Sequence, residues 1–443
     1  MEKHTYPQQL YKKLRARWDG EPLGPGWPRV DLPQEAVLAE FLDVCYHASL
    51  MTDEGRQTVF RVALISGASA VAPPRQEPVE LEPVVRYELG RPVPFNAAEL
   101  RRLAPVADPR RVLIAVEHLG DAPHNRLQIY GLIDAGMALW EMARHERVMG
   151  TSSPQALVVA STRPGELIIS RGDKPVLRLR SGEVISPTNR VLYHGPIARF
   201  FSDVTDELIR EAVRRSETRR PDWDDGLEFA HLDFIESVLL HTADLRHGGA
   251  LLFVPESTVD DDQRLHAGVS IKYQLPSTRP RDALLAAMAS RLESNDARER
   301  LHSRRTIKRD DFDGLENLER HHRNLADSAR DGALFIASLT AVDGAVVLTD
   351  KLRVIGFGGE VRASGLGTGV IHVAKNEEGD EYTEAPYTGY GTRHRSAFRF
   401  VDTIEPSVAF ILSQDGGIKA AMKVGGRIVM WPYFEVGCTT ALS

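Results

Sequence analysis

Asp343-Gly344-Ala345-Val346-Val347-Leu348 and, further along, Gly391-Thr392-Arg393-His394-Arg395-Ser396-Ala397 are the stretches from which the fold of this chain is read. The first joins a helical stretch, Leu315 to about Leu339, to an apolar run of buried-strand character, so the junction presents the carboxylate of Asp343. Gly344 lets a second backbone or a ligand come close. Taken alone, Asp343 reads as a turn aspartate. Thr349-Asp350-Lys351 then turns the strand back into Leu352 to Phe357, a hairpin with one apolar face. The second stretch opens a helix through Phe398, Phe400 and Val401. Thr392 is its expected N-cap, which puts Arg393, His394 and Arg395 in the first turn, where unpaired N–H groups and the positive dipole end favour an anion. Two guanidinium forks add bidentate phosphate contacts. Cations at that end are unfavourable unless an anion joins them, and this sign conflict favours a phosphate site over a solvated basic face.

Working outward, Gly248 to Pro255 has the small, apolar make-up of a buried central strand, with a partner strand at Val269 to Tyr273. Helices are expected over Phe229 to Leu240 and Arg281 to Glu293. This describes an α/β domain with a twisted mixed β-sheet flanked by helices, over residues 227–443. Upstream, Asp203 to Arg219 reads as a joining helix capped by Ser202, and the polar, Pro- and Gly-broken Arg219 to Gly226 closes a linker over 196–226. Residues 1–30 read as an arm whose positions 6–18 form a short amphipathic helix. A helix from Leu32 to Ser49 leads into a strand at Val59 to Ile65. Further strand-like runs stand at 112–116, 128–133, 156–160 and 166–170, with a helix-like 134–146 and a turn at Gly172-Asp173. Residues 31–195 therefore form a separate α/β or α+β domain, in which no catalytic set is visible.

The chain of 443 residues exceeds what one core usually serves, and its 42% hydrophobic and 26% charged residues are those of an ordinary globular protein. A net charge of −7 argues against broad nucleic-acid binding, while leaving a compact anionic ligand open. Only Cys45 and Cys438 occur, too few for a disulfide framework or a structural zinc site, and a reducing cytoplasm fits best. No apolar run approaches the roughly 20 residues that span a bilayer. Other polar groupings read as structural. His241, Asp244 and His247 lack a standard ligand spacing, His321-His322 form a polar helix face, and Asp260-Asp261-Asp262 form a loop. Arg214 to Arg220 is a solvated helix end, and Gly356-Phe357-Gly358-Gly359 is a glycine-rich strand exit rather than a dinucleotide loop.

In the order Gly249-Ala250-Leu251-Leu252-Phe253-Val254, Asp343-Gly344-Ala345, Gly391-Thr392-Arg393-His394-Arg395 and Phe410-Ile411-Leu412-Ser413-Gln414-Asp415-Gly416-Gly417, residues 227 to 435 resemble the diadenylate cyclase (DisA N-terminal) domain. The resemblance implies a seven-stranded twisted sheet flanked by helices. It implies one bound ATP per domain, and a homo-oligomer in which two domains meet face to face to make cyclic di-AMP. It implies that Asp343 binds Mg²⁺ or Mn²⁺ and helps activate a ribose 3′-hydroxyl, and that Thr392, Arg393, His394 and Arg395 hold the triphosphate beside Ser413. Gly344, Ala345, Gly391 and Ser396 complete the nucleotide-binding set. The chain departs from the short family members by an acidic, Gly-rich insertion from Gly365 to Tyr390 and by its N-terminal half. With these the arrangement resembles a divergent bacterial branch described as probable sensor domains (DACNV). Two functions follow from the resemblance: a diadenylate cyclase, or a related enzyme using another nucleotide, and a non-catalytic sensor that binds a nucleotide in the same pocket.

Overall fold

The computed structural model describes residues 4–18, 30–65, 85–108, 112–119, 127–134, 156–172, 174–180, 182–185, 191–216, 218, 227–245, 247–259, 262–304, 309–362, 369–413 and 417–432. The helix expected at 134–146, the segment Arg219 to Gly226, most of the arm after Trp18, Asp260-Asp261, Gln414 to Gly416 and Cys438 lie outside them. The architecture is mixed α/β, and the chain divides into two compact units with the break after Thr188.

The N-terminal unit is built on one eight-stranded sheet. Its elements are α1 (Tyr11–Arg17), α2 (Glu35–Ser49), β1 (Phe60–Ile65), β2 (Val85–Pro94), α3 (Ala97–Leu103), β3 (Val112–His118), β4 (Leu127–Asp134), β5 (Leu157–Ser161), β6 (Glu166–Arg171), β7 (Lys174–Arg180) and β8 (Glu183–Ile185). The strand order is β8-β7-β6-β5-β1-β3-β4-β2, parallel only between β1 and β3. Phe60, Val62 and Leu64 alternate inward against Val37, Leu38, Phe41 and Leu42 of α2, as the period-two and helical spacings require. Strand β2 was not foreseen. Its Gly90 and Pro92 sit at an edge, where a register shift between Glu88 and Val93 accommodates them. Cys45 is buried, and burial pushes its thiol pKa well up.

The C-terminal unit begins at Asn189. Its elements are α4 (Gly195–Arg215), α5 (Leu227–Asp244), β9 (Gly249–Val254), α6 (Asp262–Gly268), β10 (Val269–Ser277), α7 (Arg279–His302), α8 (Arg309–Leu339), β11 (Ala345–Thr349), β12 (Val354–Val361), β13 (Val370–Ala374), β14 (Tyr382–Pro386), α9 (Thr392–Thr403), β15 (Val408–Leu412), β16 (Ile418–Val424) and β17 (Arg427–Trp431). The joining helix expected from Asp203 is α4. It starts at Gly195 with Pro196 in its first turn, so Ser202 lies inside it and its hydroxyl donates to Arg199 O at 3.0 Å instead of capping. Its apolar stripe, Phe201, Val204 and Leu208, packs into this unit's core, so α4 is part of the domain rather than a linker.

The sheet order is β10-β12-β11-β9-β15-β16-β17-β13-β14, with parallel pairing only between β9 and β11 and between β13 and β17. Leu251, Phe253, Val346, Leu348, Phe410 and Leu412 face one side, under α4, α5, α7 and α8. There Phe253 stands edge-on to both Phe201 (5.4 Å) and Phe410 (5.7 Å). The opposite side carries Ala250, Ala345, Ala409 and Ala421, small enough to let the short α9 approach with Phe398, Phe400 and Val401. The core seven strands match the count implied by the resemblance, and the 365–390 insertion supplies β13 and β14. This hairpin is firmly seated: Trp431 donates its indole N–H to Asn376 O and Glu377 O, each at 3.1 Å, and Arg199 forks onto Glu378.

Two predictions follow from these contacts. Gly195 has φ +83° and a Cβ there would lie 2.4 Å from Glu377 O, so Gly195→Ala costs about 1–3 kcal/mol. Urea unfolding measures it, and an unchanged midpoint would mean the hairpin does not rest on α4. The second concerns His231, fully buried with Nδ1 2.9 Å from the Thr205 hydroxyl, which itself donates to Phe201 O. Burial holds its pKa down at about 4. The unfolded chain therefore takes up this proton first as pH falls below about 6.5, and stability is lost between there and about 4. Asp350, held up at about 6 by burial, acts in the opposite sense. The expected signature is thus a difference: His231→Gln loses less stability between pH 7 and 5 than the parent, read by thermal melts.

Candidate functional site

The register decides which loops share an end. Ala250 of β9 pairs with Ala345 of β11, Gly249 with Leu412 of β15, Leu412 with Ile418 of β16, and Ala345 with Gly359 of β12. The entries of β9, β11 and β16 and the exit of β15 therefore lie at one end of the sheet. Asp343, Gly344 and Ser413 are brought there together. Asp343 is exposed, one residue before Gly344. Gly344 has φ +112°, and a Cβ on it would lie 2.6 Å from Gly358 C, so no other residue fits. Ala345 is a core residue, 5% exposed, and acts as a floor rather than an open contact. The backbone N–H of Ser413 donates to Gly417 O at 2.9 Å.

Helix α9 runs back into β15 through a short connection, Ile404 to Ser407, so its C-terminus lies where β15 begins and its N-terminus at the end that carries Ser413. The N-cap is Gly391, with φ −67° and ψ 167°, whose carbonyl accepts from Arg395 N at 3.0 Å. Thr392 is the first helical residue and not the cap, because the extended turn out of Tyr390 falls one position earlier than the hydroxyl suggested. No side chain caps this terminus. Arg393 is exposed, whereas His394 and Arg395 are half-buried, with His394 Nε2 and Arg395 Nε enclosed and without hydrogen-bond partners. Ser396 Oγ takes a long contact, 3.4 Å, from Arg399. Burial, then the charges of Lys419 and Arg393, hold the His394 pKa down at about 4, so the imidazole is neutral at pH 7.

Two residues beside this turn were not singled out from sequence. Tyr390, delivered by the one turn of 3-10 helix (Tyr387–Gly389) that follows β14, stands 5.1 Å from Phe398 and 5.9 Å from His394, ring to ring. Burial raises its pKa. Lys419 enters through its charge on His394. Its signal was available in the alternation of β16, where Lys419 shares a face with Ala421 and Lys423. Of the other groupings, His322 Nδ1 lies 3.0 Å from the Ser290 hydroxyl, and Gly356 and Gly359 lie within β12 rather than at a strand exit, where Gly356 lets Tyr273 O come close. Among the described residues no group of three or more His, Cys, Asp or Glu is placed to hold a metal. None of the described helices is long and apolar enough to cross a membrane.

Against known families, residues 27–134 match the one described as Probable sensor domain DACNV. The span runs from before α2 to the end of β4. No curated protein matches the chain. The match to a probable sensor domain thus falls on the N-terminal unit, while Asp343, the first turn of α9 and Ser413 lie outside the matched span.

Proposed function

We propose that the C-terminal unit binds ATP or a related nucleotide and, paired face to face with a second copy, condenses two ATP into cyclic di-AMP, each ribose 3′-hydroxyl displacing pyrophosphate from the α-phosphate of the other ATP so that two pyrophosphates leave, under the influence of the N-terminal unit. The observation that carries this reading is the meeting, at one sheet end, of an exposed carboxylate behind an obligate glycine with an uncapped helix terminus whose first turn holds two arginines. An anion is what such a terminus lacks. Arg393 and Arg395 fork onto the phosphates, and the neutral His394 has an enclosed nitrogen with which to meet a phosphate oxygen. Gly391, with open space around it, leaves the helix terminus accessible, while Gly344 lets the Gly358 backbone pass close behind Asp343. Asp343 holds and orients the attacking ribose hydroxyl and accepts its proton.

One carboxylate is too little to retain a divalent ion by itself, but it suits Mg²⁺ or Mn²⁺ that arrives on the nucleotide, because such ions are commonly bound by one or two carboxylates plus substrate phosphates. Bound there through Asp343, the ion would supply charge neutralisation at the reacting phosphate. The product's two-fold symmetry requires two sites to meet, hence a homo-oligomer. The match to a probable sensor domain favours a second reading, in which the same pocket binds a nucleotide without turnover and the chain reports its occupancy.

Incubation of the protein with ATP and Mn²⁺, followed by chromatography for a cyclic dinucleotide, separates the readings. Formation of product that Asp343→Asn abolishes, with an unchanged melt, is the outcome expected for the cyclase, since the substitution is nearly isosteric but removes the charge. Product formed equally by the Asn variant removes Asp343 from the mechanism. The binding half is tested by replacing Arg393 and Arg395 together with Ala. Each lost charge-assisted bond costs roughly 1.5–3 kcal/mol of binding, so calorimetric titration with a non-hydrolysable ATP analogue should show affinity collapsing. The apo protein's melting temperature should stay level or rise slightly, because two cations leave an unfavourable dipole end. A large fall in apo stability would identify the arginines as structural instead.

A further inference from the structure

The turn of the insertion hairpin is clamped between two elements. Asn376 braces it from within, its side-chain carbonyl accepting from Gly379 N at 2.9 Å and its amide donating to Asp380 at 2.6 Å. On one side β17 takes it: the Trp431 indole donates to Asn376 O and Glu377 O, and a Cβ on Gly379 would lie 2.8 Å from Val429 Cγ1. On the other side stands the start of α4, where Gly195 leaves no room for a methyl group beside Glu377 O and the Arg199 fork meets Glu378 at 2.9 and 3.3 Å. From this block the chain leaves along β14, the outermost strand of its sheet, paired with β13 from Tyr382 to Pro386. An edge strand has no second neighbour to fix it, so its placement depends on β13 and on what holds its two ends. Beyond it stands Tyr390, ring against His394 and Phe398, and the next residue is Gly391, the N-cap of α9. The regular structure between Glu378 and Gly391 is β14 and one turn of 3-10 helix.

We infer that this seat positions the anion-binding turn: Gly195 and Arg199, at the start of the first helix after the N-terminal unit, set through the hairpin where Tyr390 and Gly391 hold the first turn of α9. The inference rests on the phosphate reading of that turn for its ligand, whereas the mechanical link stands on the contacts themselves. Helix α4 begins seven residues after Thr188, where the units divide, so a displacement arriving along the chain reaches it before any later helix. Backbone packed as closely as Gly195 and Glu377 transmits a shift instead of absorbing it. A shifted turn carries β14 with it and re-aims Tyr390, and with Tyr390 the imidazole and the helix N–H groups beyond Gly391. Directional donors that are re-aimed lose their hold on an anion. Gly195 and Arg199 are thus positioning residues that touch no ligand.

The test reverses the ion pair one end at a time in the full chain: Arg199→Glu, Glu378→Arg, and the two together, each titrated calorimetrically with inorganic tripolyphosphate. Both partners are exposed, so the pair contributes little to stability and its reversal leaves the fold standing. Each single reversal is expected to weaken tripolyphosphate by about threefold or more, the scale on which residues remote from a site modulate it. The exchanged pair should restore the affinity. In the ligand-free protein the Tyr390 and His394 ring resonances should move in both single variants and return in the exchanged pair, a signature that loss of stability alone does not produce. Thermal melts run alongside, and Arg199→Gln removes the fork without the repulsion should a reversal not fold. Single variants that melt earlier while affinity and ring resonances stay in place overturn the inference and leave the seat purely structural. An exchanged pair that restores neither also overturns it, since the effect then bypasses this contact. Tripolyphosphate bound by the parent, lost when Arg393 and Arg395 are both replaced by Ala, and indifferent to Arg199 would keep the phosphate reading and sink the coupling. No binding by any variant, with ring resonances that move and return, would sink the phosphate reading and uphold the coupling.

Discussion

Parallel pairing of β9 with β11, inside a sheet whose central neighbours are antiparallel, is the constraint from which the site is built. Two parallel strands enter from the same end, and their connection must cross back over the sheet. Here that return runs through α7 and α8, so the end of α8 and the end of α5 both lead into the sheet at one end. Antiparallel β15 then reaches the same end of the sheet at its exit, and α9, folded back along β15, starts there. Asp343, Ser413 and Arg393 share an address because of strand direction, although they are far apart in the chain. The aromatic packing of Phe201, Phe253 and Phe410 on the other face holds these strands in that register.

Electrostatics give this end its character. A short helix with no acidic residue in its first turn and no side-chain cap leaves its dipole unopposed, and the residues added to it are cations. His394 responds by staying neutral, its pKa held near 4 by burial and by the neighbouring positive charges. At the opposite end of the same helix, Asp402 and Glu405 are matched by Lys423, the arrangement expected where no ligand is needed.

The insertion and the N-terminal unit extend the domain in different ways. The insertion becomes sheet: β13 joins β17 in parallel, its turn is seated by Trp431 and Arg199, and its exit places Tyr390 against His394 and Phe398. It shapes the wall of the site as an integral part of the fold. The N-terminal unit keeps a core of its own around α2 and β1, and it carries the match to a probable sensor domain.

Much of the fold was legible in the sequence. Helix and strand periods, the α/β class, the strand at Gly249, the Asp343 junction and the basic first turn of α9 are local patterns, because burial on one face of a regular element prints its period directly on the residues. Edges and joints were less legible. Strand β2 carries Gly and Pro because an edge tolerates them, α4 starts before its apolar stripe because Pro196 and Gly195 serve the turn against Glu377, and Gly391 rather than Thr392 caps α9. What tertiary structure alone decided is which residues meet. Lys419 lies two residues beyond the Ser413 to Gly417 motif, and its own position in the strand does not say which charges it meets. It becomes a neighbour of His394 only because β16 pairs with β15 in a register that turns that lysine toward the start of a helix made from another part of the chain. Local sequence sets periodicity, whereas proximity between distant charges is set by register, which depends on the whole sheet.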